Sequence, residues 1–341
     1  MFEPITTARL VIRPMRPDDA ESLWLRRNDP EVARLQNWAI PFPRERAVEI
    51  VAEVAAMDGP ANDDWWMAAI TDRATGEVIG DLAVHLTWGG RSAEIGYTLA
   101  RAHWSKGYAI EAVEALVVYL FEVLGVSRLS GTLHPDNRAS AMVLERTGFL
   151  FEGHTHDSYW VGDEVSDDWL YGMTRADWVA WRDRPRTPPD DVRLVELTPD
   201  TLMDVYRLAT HKSQESFVAP MPKSLAQALV PPLEDGHPLK PWYRAIEADS
   251  ALAGFVMLAL SDDHLAEPYL WRLLIDRMHQ RRGIAGRALD LVEEEMRARG
   301  VIAMLVSWVD GRGSPAPFYE TRGYARTGEV EDGEAVARKA L

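Results

Sequence analysis

The strongest constraint on this chain is a basic, glycine-bearing stretch that occurs twice. Asp276-Arg-Met-His-Gln280-Arg281-Arg282-Gly283-Ile284-Ala285-Gly286 follows one apolar run. A looser version, His103-Trp-Ser-Lys106-Gly107-Tyr108-Ala109, follows another. Each opens a long amphipathic segment of helical period. A helix begun this way leaves its first four N–H groups without intrahelical partners and aims the positive end of its dipole at one point. Glycine in the turn lets the backbone approach an anion with no Cβ in the way. The pattern is that of a pyrophosphate site. One copy alone also describes an ordinary strand-to-helix turn with a solvated basic face; two copies with similar sequence downstream argue against that.

The same order of elements surrounds both copies. In the first half, residues 7–14 alternate as a strand, and Pro17-Asp-Asp-Ala begins a helix to about Arg27, with acids in the first turn. A helix over 43–57 and strands over 65–71, 78–88 and 92–99 lead to the first loop. A helix over 110–124, a strand over 129–133, a short helix after His134-Pro-Asp-Asn137 and a closing hairpin follow. Arg182-Asp-Arg-Pro-Arg-Thr-Pro-Pro-Asp-Asp191 is charged and proline-rich, as linkers are. The order then restarts with a strand over 192–197, two helices, and strands over 242–247, 252–260 and 269–275. The last of these feeds the second loop. After it come a helix over 286–299, a strand over 303–309, a short helix opened by Ser314-Pro-Ala-Pro-Phe-Tyr319-Glu and a final hairpin. A chain of 341 residues suits two domains of moderate size. The reading is a tandem of mixed α/β domains in the α+β class, at 1–183 and 192–341, joined by 184–191.

The spacing Gln280-x-x-Gly283-x-Ala285 resembles the acetyl-CoA loop of the GCN5-related N-acetyltransferases. Trp104-Ser-Lys106-Gly107-Tyr108-Ala109, Glu94-Ile-Gly-Tyr97 and His134-Pro-Asp-Asn137-Arg-Ala-Ser140 resemble the ribosomal-protein alanine branch, with Ser105 where that branch carries glycine. Ser314-Pro-x-Pro-Phe-Tyr319-Glu-x-x-Gly-Tyr, Glu215-Ser-Phe-Val-Ala-Pro220 and the C-terminal Thr327-Gly-Glu-Val-Glu-Asp-Gly-Glu resemble the diamine and spermidine branch. The resemblance implies a mostly antiparallel sheet flanked by helices, with a splayed cleft for acetyl-CoA and no metal. By it, Lys106, Gly107, Tyr108, Ala109 and Asn137 contact the cofactor in one half. Ile275, Gln280, Arg281, Arg282, Gly283, Ile284, Ala285 and Gly286 do so in the other. Tyr319 and Ser140 stand at the thiolate, and Glu94 accepts the amine proton.

Transfer of an acetyl group from a thioester to an amine needs a proton acceptor, carbonyl hydrogen-bond donors and a proton for the departing sulfur. It needs no thiolate nucleophile, and this chain has no cysteine. Disulfides and cysteine-ligated zinc are excluded with it. His154 and His156, two apart on a strand, are weak evidence for a metal. Where some polyamine acetyltransferases place an acid, Trp271 stands; the base of the second half is then Glu267, Glu215 or a chain of water. Asp157 and Tyr159 belong to an acidic, aromatic run that suits a cation.

Residues 1–183 hold 17 Lys/Arg against 29 Asp/Glu, and residues 184–341 hold 20 against 24, giving nets of −12 and −4. Such a field repels nucleic acid and attracts cations. The expected acceptor is therefore a small cationic amine, such as a polyamine, an aminoglycoside or another amino-bearing antibiotic. Two alternatives stand beside it: acetylation of a protein N-terminus, and an acetyl-CoA sensor with one inactive domain. No apolar run is long enough for a membrane span, so a cytoplasmic protein, monomer or homodimer, is expected.

Overall fold

A computed structural model describes residues 1–234, 236–260, 267–311 and 313–341. The chain divides into two compact units, Met1–Asp183 and Arg184–Leu341.

The N-terminal unit runs β1 (Ile5–Thr6), β2 (Leu10–Pro14), α1 (Ala20–Arg27), α2 (Pro30–Ala33), α3 (Arg44–Ala55), β3 (Trp65–Asp72), β4 (Val78–Thr87), β5 (Ser92–Leu99), α4 (Tyr108–Val118), β6 (Arg128–Leu133), α5 (Arg138–Arg146), β7 (Leu150–Val161), β8 (Glu164–Thr174) and α6 (Arg175–Asp183). Its sheet has the order β1-β2-β3-β4-β5-β6-β8-β7. Every neighbouring pair is antiparallel except β5 with β6. That parallel pairing covers only Ser92↔Arg128, Ala93↔Leu129 and Glu94↔Ser130. Beyond Glu94 the two strands part. On the core side α4 lays Ala112, Val113, Leu116 and Val117 against the sheet, burial that contributes about 1.5–3 kcal/mol per large aliphatic side chain. The i, i+3, i+4 spacing of these residues is what makes the segment a helix of that face. α6 was not expected from the sequence. Trp178 and Trp181, three apart, are its buried stripe, and Trp178 stacks on Phe121 at 5.1 Å.

The C-terminal unit repeats the plan with β9 (Val192–Val195), α7 (Leu202–Arg207), α8 (Met221–Leu229), the small hairpin β10 (Leu233–Glu234) and β11 (His237–Pro238), then β12 (Lys240–Ala248), β13 (Ala251–Leu260), β14 (Tyr269–Ile275), α9 (Ile284–Ala298), β15 (Ala303–Trp308), α10 (Ala316–Glu320), β16 (Ala325–Glu331) and β17 (Glu334–Ala340). The sheet order is β16-β17-β15-β14-β13-β12-β9. Here the parallel pair is β14 with β15, and it lasts for Tyr269↔Leu305 and Leu270↔Val306. Register slips at Trp271, since Met257 faces Arg272 while Leu258 faces Leu270; a bulge there turns the strand as it leaves its partner. The stripe Ile284, Ala288, Leu289, Val292 and Met296 buries α9. Glu293, also buried, is answered by the Lys339 ammonium at 2.6 Å. The segment read as a linker is tied to this unit. Arg282 Nε donates to the Thr187 carbonyl at 2.8 Å, and Arg287 donates to those of Pro189 and Asp190.

Candidate active site

In both units the loop before the long helix adopts one backbone form from two sequences. Ser105 and Gly107 have φ of 61° and 80°, while Arg281 and Gly283 have 66° and 78°. Each glycine is the N-cap of its helix, α4 or α9. A left-handed φ costs a non-glycine residue about 1–2 kcal/mol, so Ser105 and Arg281 mark a conformation the surrounding structure enforces.

The loops are braced from outside. Glu111 accepts from Thr7 Oγ1 (2.6 Å), Arg9 N (2.8 Å) and Arg9 Nε (2.7 Å), while Arg9 Nη1 donates to the Lys106 carbonyl at 2.8 Å. The Arg9 guanidinium also lies 4.5 Å from the Tyr108 ring centroid. In the second loop Asp276 accepts from Met278 N and Ala209 N, both at 2.9 Å. Gln280 Nε2 donates to the Ile275 carbonyl, and its amide pairs with that of Gln214. A Cβ on Gly283 would have no atom within 4 Å, so the space above it is open. An open patch over unmatched N–H groups at a helix start fits a pyrophosphate.

That patch belongs to a cavity of about 400 Å³ lined by Gln280, Arg281 and Gly283–Gly286, by Trp271, Leu273 and Ile275 on β14, and by Val306, Ser307, Phe318 and Tyr319. Arg282, expected at the cofactor, is not brought there by its side chain. It is buried and donates to Thr187, to His279 Nδ1 (3.0 Å) and to Asp249. Because a guanidinium only donates, His279 Nδ1 accepts and the ring proton sits on Nε2. Burial lowers the His279 pKa, which keeps the ring neutral.

Tyr319 lies parallel to Trp308, 7° apart at 5.6 Å, with Tyr324 edge-on. Burial raises its hydroxyl well above the ordinary phenol value, so it stays protonated. The two carboxylates offered as bases are elsewhere. Glu267 is held by Arg338 at 2.7 Å, which lowers its pKa, and Glu215 is paired with Lys212 at 2.6 Å. Among the described residues no carboxylate lines this cavity.

The N-terminal unit differs on this point. Across β3, β4 and β5 the register stacks Trp65, His85 and Glu94, then Met67, Ala83 and Gly96, then Ala69, Asp81 and Thr98. Directly paired residues share a face, and this face floors a cleft of about 1630 Å³. Glu94 is thus both the last residue of the parallel pairing and part of the cleft floor. Burial raises its pKa; the nearby His85 opposes the shift and Asp168 adds to it. Tyr159, Asp163, Glu164 and Asp168 of the β7–β8 hairpin line the cleft, but Asp157 does not. Asp157 sits in a bulge with φ of 49°, its N–H on Asp167 Oδ1 at 3.0 Å.

Asn137 and Ser140 are brought together at the start of α5, where Asn137 Oδ1 caps the Ser140 N–H at 3.1 Å. The Tyr97 hydroxyl donates to the Ser140 carbonyl at 2.9 Å and lies 2.8 Å from its Oγ. The Ser140 proton is therefore directed at Tyr97, a partner the sequence did not single out. The same is true of Asp167, whose Oδ2 meets His154 Nε2 at 2.8 Å and His156 Nδ1 at 3.1 Å.

Comparison with known proteins agrees with this geometry. A family profile described as "Acetyltransferase (GNAT) domain" matches residues 9–150, and one described as "Acetyltransferase (GNAT) family" matches residues 202–324. The chain is 34% identical over 154 residues to the uncharacterized N-acetyltransferase YoaA of Bacillus subtilis strain 168, covering 45% of this chain and 86% of that one. It is 32% identical over 182 residues to the uncharacterized N-acetyltransferase p20 of Bacillus licheniformis, covering 52% and 99%. The ribosomal protein uS5-alanine N-acetyltransferase of Escherichia coli strain K12 is 28% identical over 88 residues, 26% of this chain and 45% of that enzyme. Two such profiles on two sheets, each split beside a helix-capping loop, make this chain a member of the GCN5-related N-acetyltransferase family, an acetyl-CoA-dependent acyltransferase with two of its domains in tandem.

Proposed function

We propose that the N-terminal unit acetylates a primary amine and uses Glu94 to take up its proton. The observation that carries this reading is the place of Glu94, on the cleft floor at the point where β5 and β6 part, with its pKa raised by burial. A carboxylate whose pKa rises toward neutrality is a better base for an ammonium than an exposed one. Bound acetyl-CoA supplies the acyl group as a thioester. The Tyr97 and Ser140 hydroxyls lie 2.8 Å apart, each with its proton already engaged, Tyr97 on the Ser140 carbonyl and Ser140 on Tyr97.

The cleft's size favours the amino terminus of a polypeptide, since about 1630 Å³ exceeds the roughly 300–1,000 Å³ of ordinary small-ligand pockets. The relationship to an enzyme named for a ribosomal protein supports the same reading. A small polycation is the second reading, favoured by Asp163, Glu164 and Asp168 on the cleft wall. For the C-terminal unit we infer acetyl-CoA binding at Gln280–Gly286 with Tyr319 beside the sulfur. With no carboxylate among the described residues that line that cavity, transfer there draws on amine that arrives already neutral.

The test is coenzyme A release from the full chain against a panel of peptides and polyamines across pH. A reaction carried by Glu94 has an acid limb above the ordinary carboxylate range of about 4.3, because the working form is the carboxylate and its pKa is raised. That limb disappears in Glu94→Gln. A profile identical in both proteins sinks the assignment. For the other unit, Tyr319→Phe is expected to slow turnover about 10–100-fold, the worth of one hydrogen bond to a charged sulfur, with acetyl-CoA affinity little changed. Full proton transfer is not the expectation, because the hydroxyl is a far weaker acid than a thiol. Unchanged kcat in Tyr319→Phe removes the residue from the reaction.

A further inference from the structure

Arg26 and Arg27 are consecutive at the end of α1, and one carboxylate serves the pair. Asp81 is taken by Arg26 in a buried ion pair. Arg27 forms no ion pair and no side-chain hydrogen bond among the described residues. Its guanidinium instead lies 4.7 Å from the Trp38 ring centroid and 4.8 Å from that of Phe42, on the wall of the N-terminal cleft. The clamp is fixed in place. Trp38 Nε1 donates to the Arg27 carbonyl, and Trp24 Nε1 and Asn28 Nδ2 donate to the Phe42 carbonyl, all at 3.0 Å. The Phe42 N–H returns a bond to Asn28 Oδ1 at 2.8 Å.

Aromatic faces attract a cation but accept no hydrogen bonds from its edge N–H groups. Burial lowers the Arg27 pKa; the field of Asp81 works against this, and the charges of Arg26 and Arg46 add to it. A desolvated cation with no anion of its own is costly unless one is supplied from outside. The guanidinium fork matches a carboxylate.

We propose that Arg27, held between Trp38 and Phe42, is a carboxylate-binding subsite of the acceptor cleft, and that the preferred acceptor is a polypeptide with an acidic side chain at about its third residue. The spacing follows from the floor. Asp81, whose field reaches Arg27, pairs with Thr98, four residues along β5 from Glu94 and on the same face, so that this stretch of floor runs about 13 Å at strand rise. An extended peptide covers roughly 3.3–3.6 Å per residue, so the two steps from the first residue to the third cover about 7 Å, and the reach of a glutamate side chain supplies most of the rest of that floor. A free amino acid is too short, and a polyamine carries no anion. The proposal rests on the reading of this cleft as an amine-acetylating site.

The experiment uses the full chain and two hexapeptides with free amino termini, identical except for Glu or Gln at residue three. Coenzyme A release is measured with each. The Glu peptide is expected to exceed the Gln peptide in kcat/KM by about 10–100-fold, the range of a charge-assisted hydrogen bond. In Arg27→Gln the ratio falls to near one. Arg27→Lys keeps a cation over the rings without the fork, and an intermediate ratio is expected; it also serves if the Gln variant folds poorly. Equal rates for the two peptides in the wild-type chain overturn the proposal, as does a ratio unchanged in both variants. Turnover of polyamines with neither peptide acetylated overturns the polypeptide reading and the proposal with it. No turnover of any amine, with acetyl-CoA still bound, overturns the enzymatic reading beneath both.

Discussion

Glu94→Gln lowers kcat of the N-terminal unit by about 10²–10⁴-fold, the usual cost of a lost general base, and leaves acetyl-CoA affinity at that unit nearly unchanged. The two effects separate because Glu94 lies on the cleft floor while the cofactor loop is at the start of α4. The measurement is single-turnover acetylation with the unit saturated in acetyl-CoA, beside calorimetry of acetyl-CoA binding. The substitution has a second consequence of opposite sign. A carboxyl whose folded pKa is raised stabilises the fold only while it is protonated, and that contribution is lost as pH rises through the folded value. At pH 7 the ionised Glu94 is thus a load on the fold, and the glutamine variant is at least as stable as the wild type. A variant that is inactive and also less stable would point to a structural carboxylate.

Gly283→Val reduces acetyl-CoA affinity at the C-terminal unit by about 10²-fold or more, and Gly107→Val does the same at the N-terminal unit. Two terms add. A β-branched residue at φ near 80° is an outlier. A side chain over Gly283 also fills space that is empty of protein atoms and holds an anion away from the N–H groups, each worth about 1.5–3 kcal/mol to a charged partner. The chain carries its own reference, because Arg281 and Ser105 already tolerate the same region of φ. Calorimetry on the full chain should then show one site lost and one retained in each variant. Loss of both sites from either substitution, or of neither, overturns the assignment of the two loops.

The loops were legible because an anion-binding turn is local in sequence. Gly107 and Gly283, the apolar run before each and the helical stripe after it lie within one short window. Longer strands and helices were legible by their period. α6 leaves a fainter mark in the sequence: Trp178 and Trp181 carry its spacing, but the prolines after Arg184 cut the helical period short. The four-residue α2 is too short for any period to show. What the sequence could not supply is pairing across distance. Glu267 looks like an available base until the register of β15 and β17 brings Arg338 to it. Arg282 looks like a phosphate ligand until Thr187 takes its Nε. Glu94 stays on the cleft floor, where His85 faces it directly and the small Gly96 and Ala83 next on the face leave room beside it. In the second unit the sequence leaves the base open among Glu267, Glu215 and a chain of water. The half-buried carboxylate, Glu94, lies in the first.

The short parallel pairings have a further consequence. Where β5 leaves β6, and β14 leaves β15, each sheet acquires a pair of inner edges with backbone donors and acceptors left unmatched by the neighbouring strand. A strand edge at the rim of a sheet invites pairing with another chain and is a route to aggregation. These edges confront one another in the middle of the sheet, flanked on their far sides by β4 and β8 in one unit and by β13 and β17 in the other. A stranger's strand has no open side from which to add. The sheets thus keep unpaired backbone groups beside a slender ligand at a place where a whole further strand cannot join the sheet.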